Sequence, residues 1–282
     1  MIPKNIEKRV LSKLKNNINQ KIYIQNSNIL YGGSINNNLK LETNYGNFFL
    51  KWNNKSDKLF KAETKGLTIL KERDIIYIPE IINSDKDFLL LEFIEKKEKT
   101  HIFWENFGRK ISEIHRVSND HFGLDHDNFI GSLDQENGKE EKWIEFFIKK
   151  RIKPQLRINE FPHKILNSFD KLFLKIENLF PEENPALLHG DLWSGNFICS
   201  NNEPVLIDPA IYFGHREMDI SMTKLFGGFN ERFYESYNEN YSLSEGWIER
   251  EKICNLYPLL VHAKLFGGHY YKEIERSVQY FI

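Results

Sequence analysis

Cysteine is nearly absent: Cys199 and Cys254 are the two in 282 residues, too few for a disulfide scaffold and too far apart in sequence for a zinc or redox motif. Both read as reduced thiols of a cytoplasmic protein. An excess of charge of either sign is missing too. The 39 basic and 40 acidic side chains leave a formal charge of -1, so no whole-protein field draws the chain to nucleic acid or to an anionic membrane. No apolar run approaches the length of a membrane span, and Lys4, Glu7, Lys8, Arg9, Lys13 and Lys15 interrupt the N-terminal stretch where a signal peptide would need one. Internal repeats and low-complexity linkers are lacking as well. What is present suffices for a packed core: 40% of residues are hydrophobic and 14% aromatic, enough for one large domain or two lobes.

Val10, Leu11 and Leu14 recur at helical spacing and predict a short opening helix that Asn16 to Gln20 break. Strand patterns follow at Lys21–Ile24, Leu39–Thr43 and Asn47–Trp52, with Gly32-Gly33 and Tyr45-Gly46 at the turns, which predicts an antiparallel sheet. Ser56 or Asp57 caps a helix through Leu59, Glu63, Leu67 and Leu70, and beyond Pro79 come two more strands, Glu80–Asn83 and Phe88–Phe93. The run Glu95-Lys-Lys-Glu-Lys is either a polar joint between lobes or an ordinary solvated loop; taken as a joint it divides the chain into 1–94 and 95–282. Helical periodicity dominates the second part, at Phe103–Val117, Trp143–Leu156, Ile165–Leu179 and Gly246–Tyr270. Two short strands around Phe197–Ile207, joined through Ser200-Asn-Asn-Glu-Pro, interrupt it. The expected fold class is α+β: two lobes as in protein kinases, a small antiparallel sheet with one main helix and a larger, mainly helical lobe.

The chemistry-bearing stretch is Leu187-Leu-His-Gly-Asp-Leu-Trp-Ser-Gly-Asn-Phe, followed by Val205-Leu-Ile-Asp-Pro. Asp191 and Asn196 are five residues apart, and Asp208 lies twelve beyond Asn196, at the end of a hairpin. Kinase-type phosphoryl transfer needs this set. One Asp meets the substrate hydroxyl as base, while an Asn and a second Asp hold Mg2+ on the phosphates of ATP. Magnesium takes hard oxygen ligands and keeps some waters, so an amide carbonyl and a carboxylate suffice. The competing reading has Asp191 and Asn196 shaping a turn and Asp208 capping a strand.

Further parts lie upstream. Gly32-Gly33-Ser34, between two strands, has the freedom to bring backbone N–H groups to phosphate oxygens, although a Gly-Gly hairpin turn needs no ligand. Lys51, between Leu50 and Trp52 in the third strand, either reaches the phosphates or snorkels at a sheet edge. Glu63, on the next helix, either pairs with Lys51 or is a surface residue among Lys58, Lys61 and Lys65. Their order along the chain, glycine turn, strand lysine, helix glutamate, catalytic aspartate and metal aspartate, is the order a two-lobed kinase requires.

With these residues the chain resembles the fructosamine or ketosamine kinases, a branch of the aminoglycoside and choline kinase-like fold. The resemblance runs through His189-Gly-Asp-Leu-Trp-Ser-Gly-Asn196, Ile207-Asp-Pro-Ala-Ile-Tyr-Phe-Gly-His-Arg-Glu-Met-Asp219, Leu225-Phe-Gly-Gly228 and Leu265-Phe-Gly-Gly268. Upstream it includes Gly32-Gly-Ser-Ile-Asn36, Phe60–Leu67, Ile130-Gly131 and Gln135. Trp193, and Asp-Pro-Ala where protein kinases have Asp-Phe-Gly, are its most family-specific features. Two departures stand out: Ser34 replaces the cysteine many relatives carry, and Asn137–Lys142 is more charged than the pattern and reads as a solvated loop.

The resemblance implies transfer of the ATP γ-phosphate to the carbon-3 hydroxyl of a ketosamine, free or protein-bound, whose decomposition then frees the amine. It implies that Glu92, Phe93 and Ile94 offer backbone groups to adenine. Trp193 either walls the sugar pocket or packs in the core. His189 is expected to brace the metal-binding turn, and Asp219 to hold the backbone of the catalytic loop. Tyr212, His215, Arg216 and His262 have pocket-lining and packing readings alike. Kinases of amino sugars or choline, and a silent nucleotide-binding protein, are the competing functions; Trp193 and Asp-Pro-Ala speak against the former, the intact Lys51, Asp191, Asn196 and Asp208 against the latter.

Overall fold

The computed structural model describes residues 2–18, 21–30, 36–53 and 58–282. Gly32, Gly33 and Ser34, and the Ser56 or Asp57 cap, lie outside the described residues. Packing divides the chain into two units. The first is Met1–Phe103 with Gly195–Asp208, the second Trp104–Ser194 with Pro209–Ile282.

In the first unit, helix α1 (Lys4–Ile18) buries Ile6, Val10 and Leu14, a stripe at four-residue steps, with Ile2 ahead of it. Leu11 is only half-buried, which differs from expectation; the helix runs through Asn16 and ends at Ile18, inside the stretch expected to break it. Asn costs a helix a fraction of a kcal/mol relative to Ala, too little to stop one anchored by a buried stripe. Strands β1 (Ile24–Ile29), β2 (Asn37–Thr43) and β3 (Asn47–Trp52) follow. β1 begins where the expected strand at Lys21–Ile24 ends. Its sequence, Ile-Gln-Asn-Ser-Asn-Ile, has no alternation to read because it is a largely exposed edge strand, held by its ladder with β2.

Helix α2 (Leu59–Lys71) and strands β4 (Ile81–Ser84) and β5 (Phe88–Glu92) complete an antiparallel sheet of order β1-β2-β3-β5-β4. Register places Leu50 opposite Leu39 and Leu90, and all three pack with the α1 stripe. Successive strand residues face opposite ways. Lys51 therefore points away from that cluster, toward Glu63 of α2.

The second unit is mainly helical. In chain order come α3 (His101–His115, in this unit from Trp104 on), hairpin β6 (Asn128–Ile130) and β7 (Leu133–Gln135), α4 (Trp143–Phe146), α5 (Lys153–Ile158), α6 (His163–Ile176) and β8 (Ala186–Leu188). Hairpin β9 (Phe197–Ser200) and β10 (Glu203–Leu206) belongs to the first unit. Then follow β11 (Tyr212–Gly214), paired with β8, and helices α7 (Glu217–Leu225), α8 (Glu231–Asn240), α9 (Trp247–Cys254), α10 (Leu256–Phe266) and α11 (Tyr270–Phe281). The core gathers Phe146, Phe147, Ile152, Phe169, Leu172, Leu260 and Ile274. No helix among the described residues is long and apolar enough to cross a membrane.

Between α4 and α5, Phe147–Ile152 form a π-helical stretch that ends two residues before Pro154. Proline has no N–H for the carbonyl four residues back, that of Lys150, and its ring crowds it. The Arg151 guanidinium donates to the Lys150 carbonyl instead, at 3.1 Å. A backbone irregularity thereby fixes a buried cation.

The α1 stripe is testable. Leu14→Ala should cost about 2–5 kcal/mol by leaving a cavity, and Leu11→Ala well under ~1 kcal/mol. Urea denaturation of both variants checks the order; equal losses would contradict the assigned face.

Candidate active site

The β9–β10 hairpin sets two of the expected residues side by side in the chain trace. Phe197 pairs with Leu206, and just outside them the Ile207 N–H donates to the Asn196 carbonyl at 3.1 Å. Asn196 and Asp208 thus flank the open end of one hairpin. Leu206 N–H donates to the Tyr77 carbonyl at 3.1 Å, tying that hairpin into the unit that carries Lys51. Asp208 has φ +55°, a left-handed conformation that Asp and Asn tolerate better than other side chains.

Its carboxylate meets Lys51. The Lys51 ammonium donates to Asp208 Oδ1 at 2.6 Å and to Glu63 Oε1 and Oε2 at 2.9 and 3.1 Å. Lys51 is 4% exposed, so it is no snorkelling edge residue. Burial opposes its charge, but the Asp208 and Glu63 carboxylates outweigh burial and hold the ammonium protonated well above the usual lysine range. Burial also pushes the Glu63 carboxyl up, with Lys51 pulling down and Asp208 pushing up, to about 7. The donors at Asn196 and Asp208 are all oxygen, a set suited to magnesium rather than to a soft metal.

In the second unit, β8 feeds the loop that carries Asp191. Leu188 pairs with Tyr212, and the Ala210 N–H donates to the His189 carbonyl at 2.9 Å. Gly190 follows at φ +80°, where a Cβ would lie 2.0 Å from the Ala210 carbonyl oxygen; only glycine fits. Asp219, buried on α7, accepts the His189 N–H at 2.7 Å and the Gly190 N–H at 2.9 Å on separate oxygens. His115 stands behind it, Nε2 at 3.3 Å from Asp219 Oδ2 and Nδ1 at 2.8 Å from the Tyr237 hydroxyl. The Asp191 N–H donates to His189 Nδ1 at 3.2 Å, and the Trp193 N–H to the Asp191 carbonyl at 3.1 Å. His189 and Asp219 have the bracing geometry expected of them. His115 was missed, since a lone His at a helix end carries no motif.

Around Asp191, Trp193 is half-buried and meets Phe226 edge-on at 6.1 Å between ring centroids. Phe226 in turn contacts His262 at 4.7 Å, and His262 contacts Phe266 and Tyr270. Tyr212, His215 and Arg216 are buried. Arg216 pairs with Glu183 at 2.8 Å, which is a packing role.

At the end of β5 the Glu92 N–H donates to the Glu80 carbonyl, and its carboxylate accepts the Tyr77 hydroxyl at 2.7 Å. That N–H is therefore engaged in the sheet. Phe93 and Ile94 continue beyond the strand without regular structure.

The profile of the family described as fructosamine kinase matches residues 6–282. A Vibrio parahaemolyticus protein described as a probable ketoamine kinase is 34% identical over 88% of this chain and 90% of its own length. The chloroplastic protein-ribulosamine 3-kinase of Arabidopsis thaliana is 36% identical over 85% of this chain and 77% of its own. Among solved structures, a Haemophilus somnus protein assigned as a fructosamine-3-kinase superposes with a TM-score of 0.87 at 28% identity, covering 97% of this chain and 96% of that one.

These contacts lead to two expected outcomes. Gly190→Ala forces a Cβ against the Ala210 carbonyl at a positive φ and should lower turnover by at least about 100-fold through displacement of the loop; steady-state kinetics on the folded variant checks it. Glu63 holds a proton in the folded state up to about pH 7, whereas in the unfolded chain its carboxyl returns to the ordinary 4.5 and has already lost it. The folded state then binds more protons, and this group's contribution to stability falls as pH rises through that window. Relative to the parent, Glu63→Gln should gain thermal stability between about pH 5 and pH 7; a pH-independent difference in Tm would refute the shift.

Proposed function

The chain belongs to the fructosamine kinase family, and from that premise we propose that it transfers the γ-phosphate of ATP to the carbon-3 hydroxyl of a ketosamine, leading to deglycation of the amine. The observation that carries this reading is the ion-paired set of Lys51, Glu63 and Asp208, with Asn196 at the same hairpin. A buried lysine held between two carboxylates, one of them at a positive φ, supports the reading because a phosphate-handling site of the kinase type requires that set.

Asp191 is the base: it orients the acceptor hydroxyl and takes its proton. Bracing by Asp219 fixes the loop from which it acts. Lys51 binds phosphate oxygens, held on station by Glu63. Asn196 and Asp208 are the residues that would hold Mg2+, which would supply charge neutralisation on the phosphates. Gly32, Gly33 and Ser34 offer backbone N–H groups to the phosphates. Adenine takes backbone contacts at the end of β5; with the Glu92 N–H in the sheet, Phe93 and Ile94 carry them. Trp193, half-exposed beside Phe226, forms an aromatic wall for the sugar's C–H face. In this reading 1–94 carries the nucleotide-binding sheet with the glycine-rich turn, and 95–282 carries the catalytic loop, the metal site and the acceptor pocket. The enzyme works in the cytoplasm on small or protein-bound ketosamines, without nucleic acid or membrane as partner.

Asp191→Asn keeps the side chain's shape and loses the proton acceptor. Turnover should fall by about 100-fold or more while binding of a fluorescent ATP analogue stays nearly unchanged. A variant with parental turnover would remove Asp191 from the role of base. For specificity, kcat/KM should favour fructosyl- and ribulosyl-amines over choline and aminoglycosides, read by mass detection of the phosphorylated product. A preference for choline or an aminoglycoside would overturn the ketosamine assignment.

A further inference from the structure

A buried chain of hydrogen bonds lies behind the segment after Asp208, and none of the chemistry above uses it. It begins at Arg151, the cation fixed by the π-helical stretch, whose guanidinium lies over the Tyr212 ring at 3.9 Å and the Phe146 ring at 4.5 Å. Its Nη2 donates to Asn137 Oδ1 at 2.6 Å. A guanidinium only donates, so Asn137 must present its oxygen there. Asn137 Nδ2 then donates onward, to Asn128 Oδ1 at 2.7 Å and to the His126 carbonyl. Asn128 Oδ1 also accepts from Gln135 Nε2 at 2.7 Å, which leaves Asn128 Nδ2 to donate to the Ile211 carbonyl at 2.9 Å. Gln135 Oε1 accepts the Tyr257 hydroxyl at 2.8 Å, and Gln135 Nε2 gives its second hydrogen to the Ala210 carbonyl at 3.0 Å.

One permanent charge thus orients three carboxamides, and two of their bonds end on the consecutive carbonyls of Ala210 and Ile211. Every carboxamide has both its oxygen and its nitrogen engaged. A site that needed only packing is served as well or better by apolar side chains of the same volume. A satisfied directional network instead fixes a position. The position fixed is Ala210, whose carbonyl Gln135 holds from one side and whose N–H holds His189 on the other. Asp208 is two residues before Ala210 and Asp191 two after His189.

We propose that Gln135 is a positioning residue for phosphoryl transfer: by holding the Ala210 carbonyl it sets the short link from Asp208 and, through the Ala210 N–H, the loop that carries Asp191. This rests on the roles given above to Asp191 and Asp208. The test compares Gln135→Met, which removes both donors, and Gln135→Glu, which keeps the shape, with Ile274→Ala, a buried α11 variant that lowers stability without touching the network. Measurements are made well below each Tm. Three readouts apply: kcat for ketosamine phosphorylation, the Mg2+ concentration for half-maximal binding of a fluorescent ATP analogue, and hydrogen exchange of the 207–212 peptide.

Both Gln135 variants should lose about tenfold or more in kcat, need about tenfold more Mg2+, and exchange faster at 207–212. Ile274→Ala should change none of the three for a comparable loss of Tm. Gln135 variants that lose Tm but keep all three readouts within about twofold of the parent, well inside the range such supporting contacts command, would overturn the proposal. Should the parent phosphorylate no ketosamine, the functional reading fails while magnesium-dependent nucleotide binding and exchange still decide the role of Gln135.

Discussion

A buried lysine between two carboxylates is the constraint around which the first unit is organised. Taking an ammonium out of water is costly, and only close, well-formed ion pairs offset it. Lys51 meets that requirement because three separate pieces of chain converge on it: β3 by strand alternation, α2 by presenting Glu63, and the end of the β9–β10 hairpin by presenting Asp208. With both carboxylates ionised the cluster would carry a net negative charge, and burial together with Asp208 accordingly pushes the Glu63 carboxyl up. The left-handed backbone at Asp208 is tolerated because this ion pair holds its side chain in place.

A second buried carboxylate plays the matching part in the other unit. Asp219 takes two backbone N–H groups of the His189-Gly190 turn, so α7 fixes a loop that has no regular structure of its own. Gly190 makes this possible by letting the Ala210 carbonyl pass where a side chain would stand. Charged groups buried against backbone amides are rigid, and a side chain on such a loop is held in place in advance.

The residues proposed to bear chemistry were legible as candidates because their types and spacings match those of kinase-type phosphoryl transfer. Lys51 and Glu63 are brought together as their places in a strand and the next helix suggested, and Asn196 and Asp208 flank the hairpin expected between them. What supports them was not legible. Arg151 sits in Lys149-Lys-Arg-Ile-Lys, where every charge looks solvated, and its burial depends on a π-helical stretch caused by Pro154. Asn137 heads a run read as a solvated loop, yet it is fully buried because Asn128 and Arg151 complete its hydrogen bonds. The strand at Ile24–Ile29 has an exposed, polar sequence without periodicity, and β6, β8 and β11, at three residues each, are too short to show one. Tertiary partners decide such elements, and a single sequence does not display them.

Where the phosphate arrives is the most direct test, because the acceptor position distinguishes ketosamine chemistry from every other use of this site. Fructosyl-lysine incubated with the protein, ATP and Mg2+ should give one product whose phosphorus couples, in two-dimensional NMR, to the proton on carbon 3 of the sugar, with free lysine accumulating afterwards. Phosphate on another carbon, or no phosphorylation of fructosyl- or ribulosyl-lysine under conditions where ATP and Mg2+ bind, would contradict the assignment.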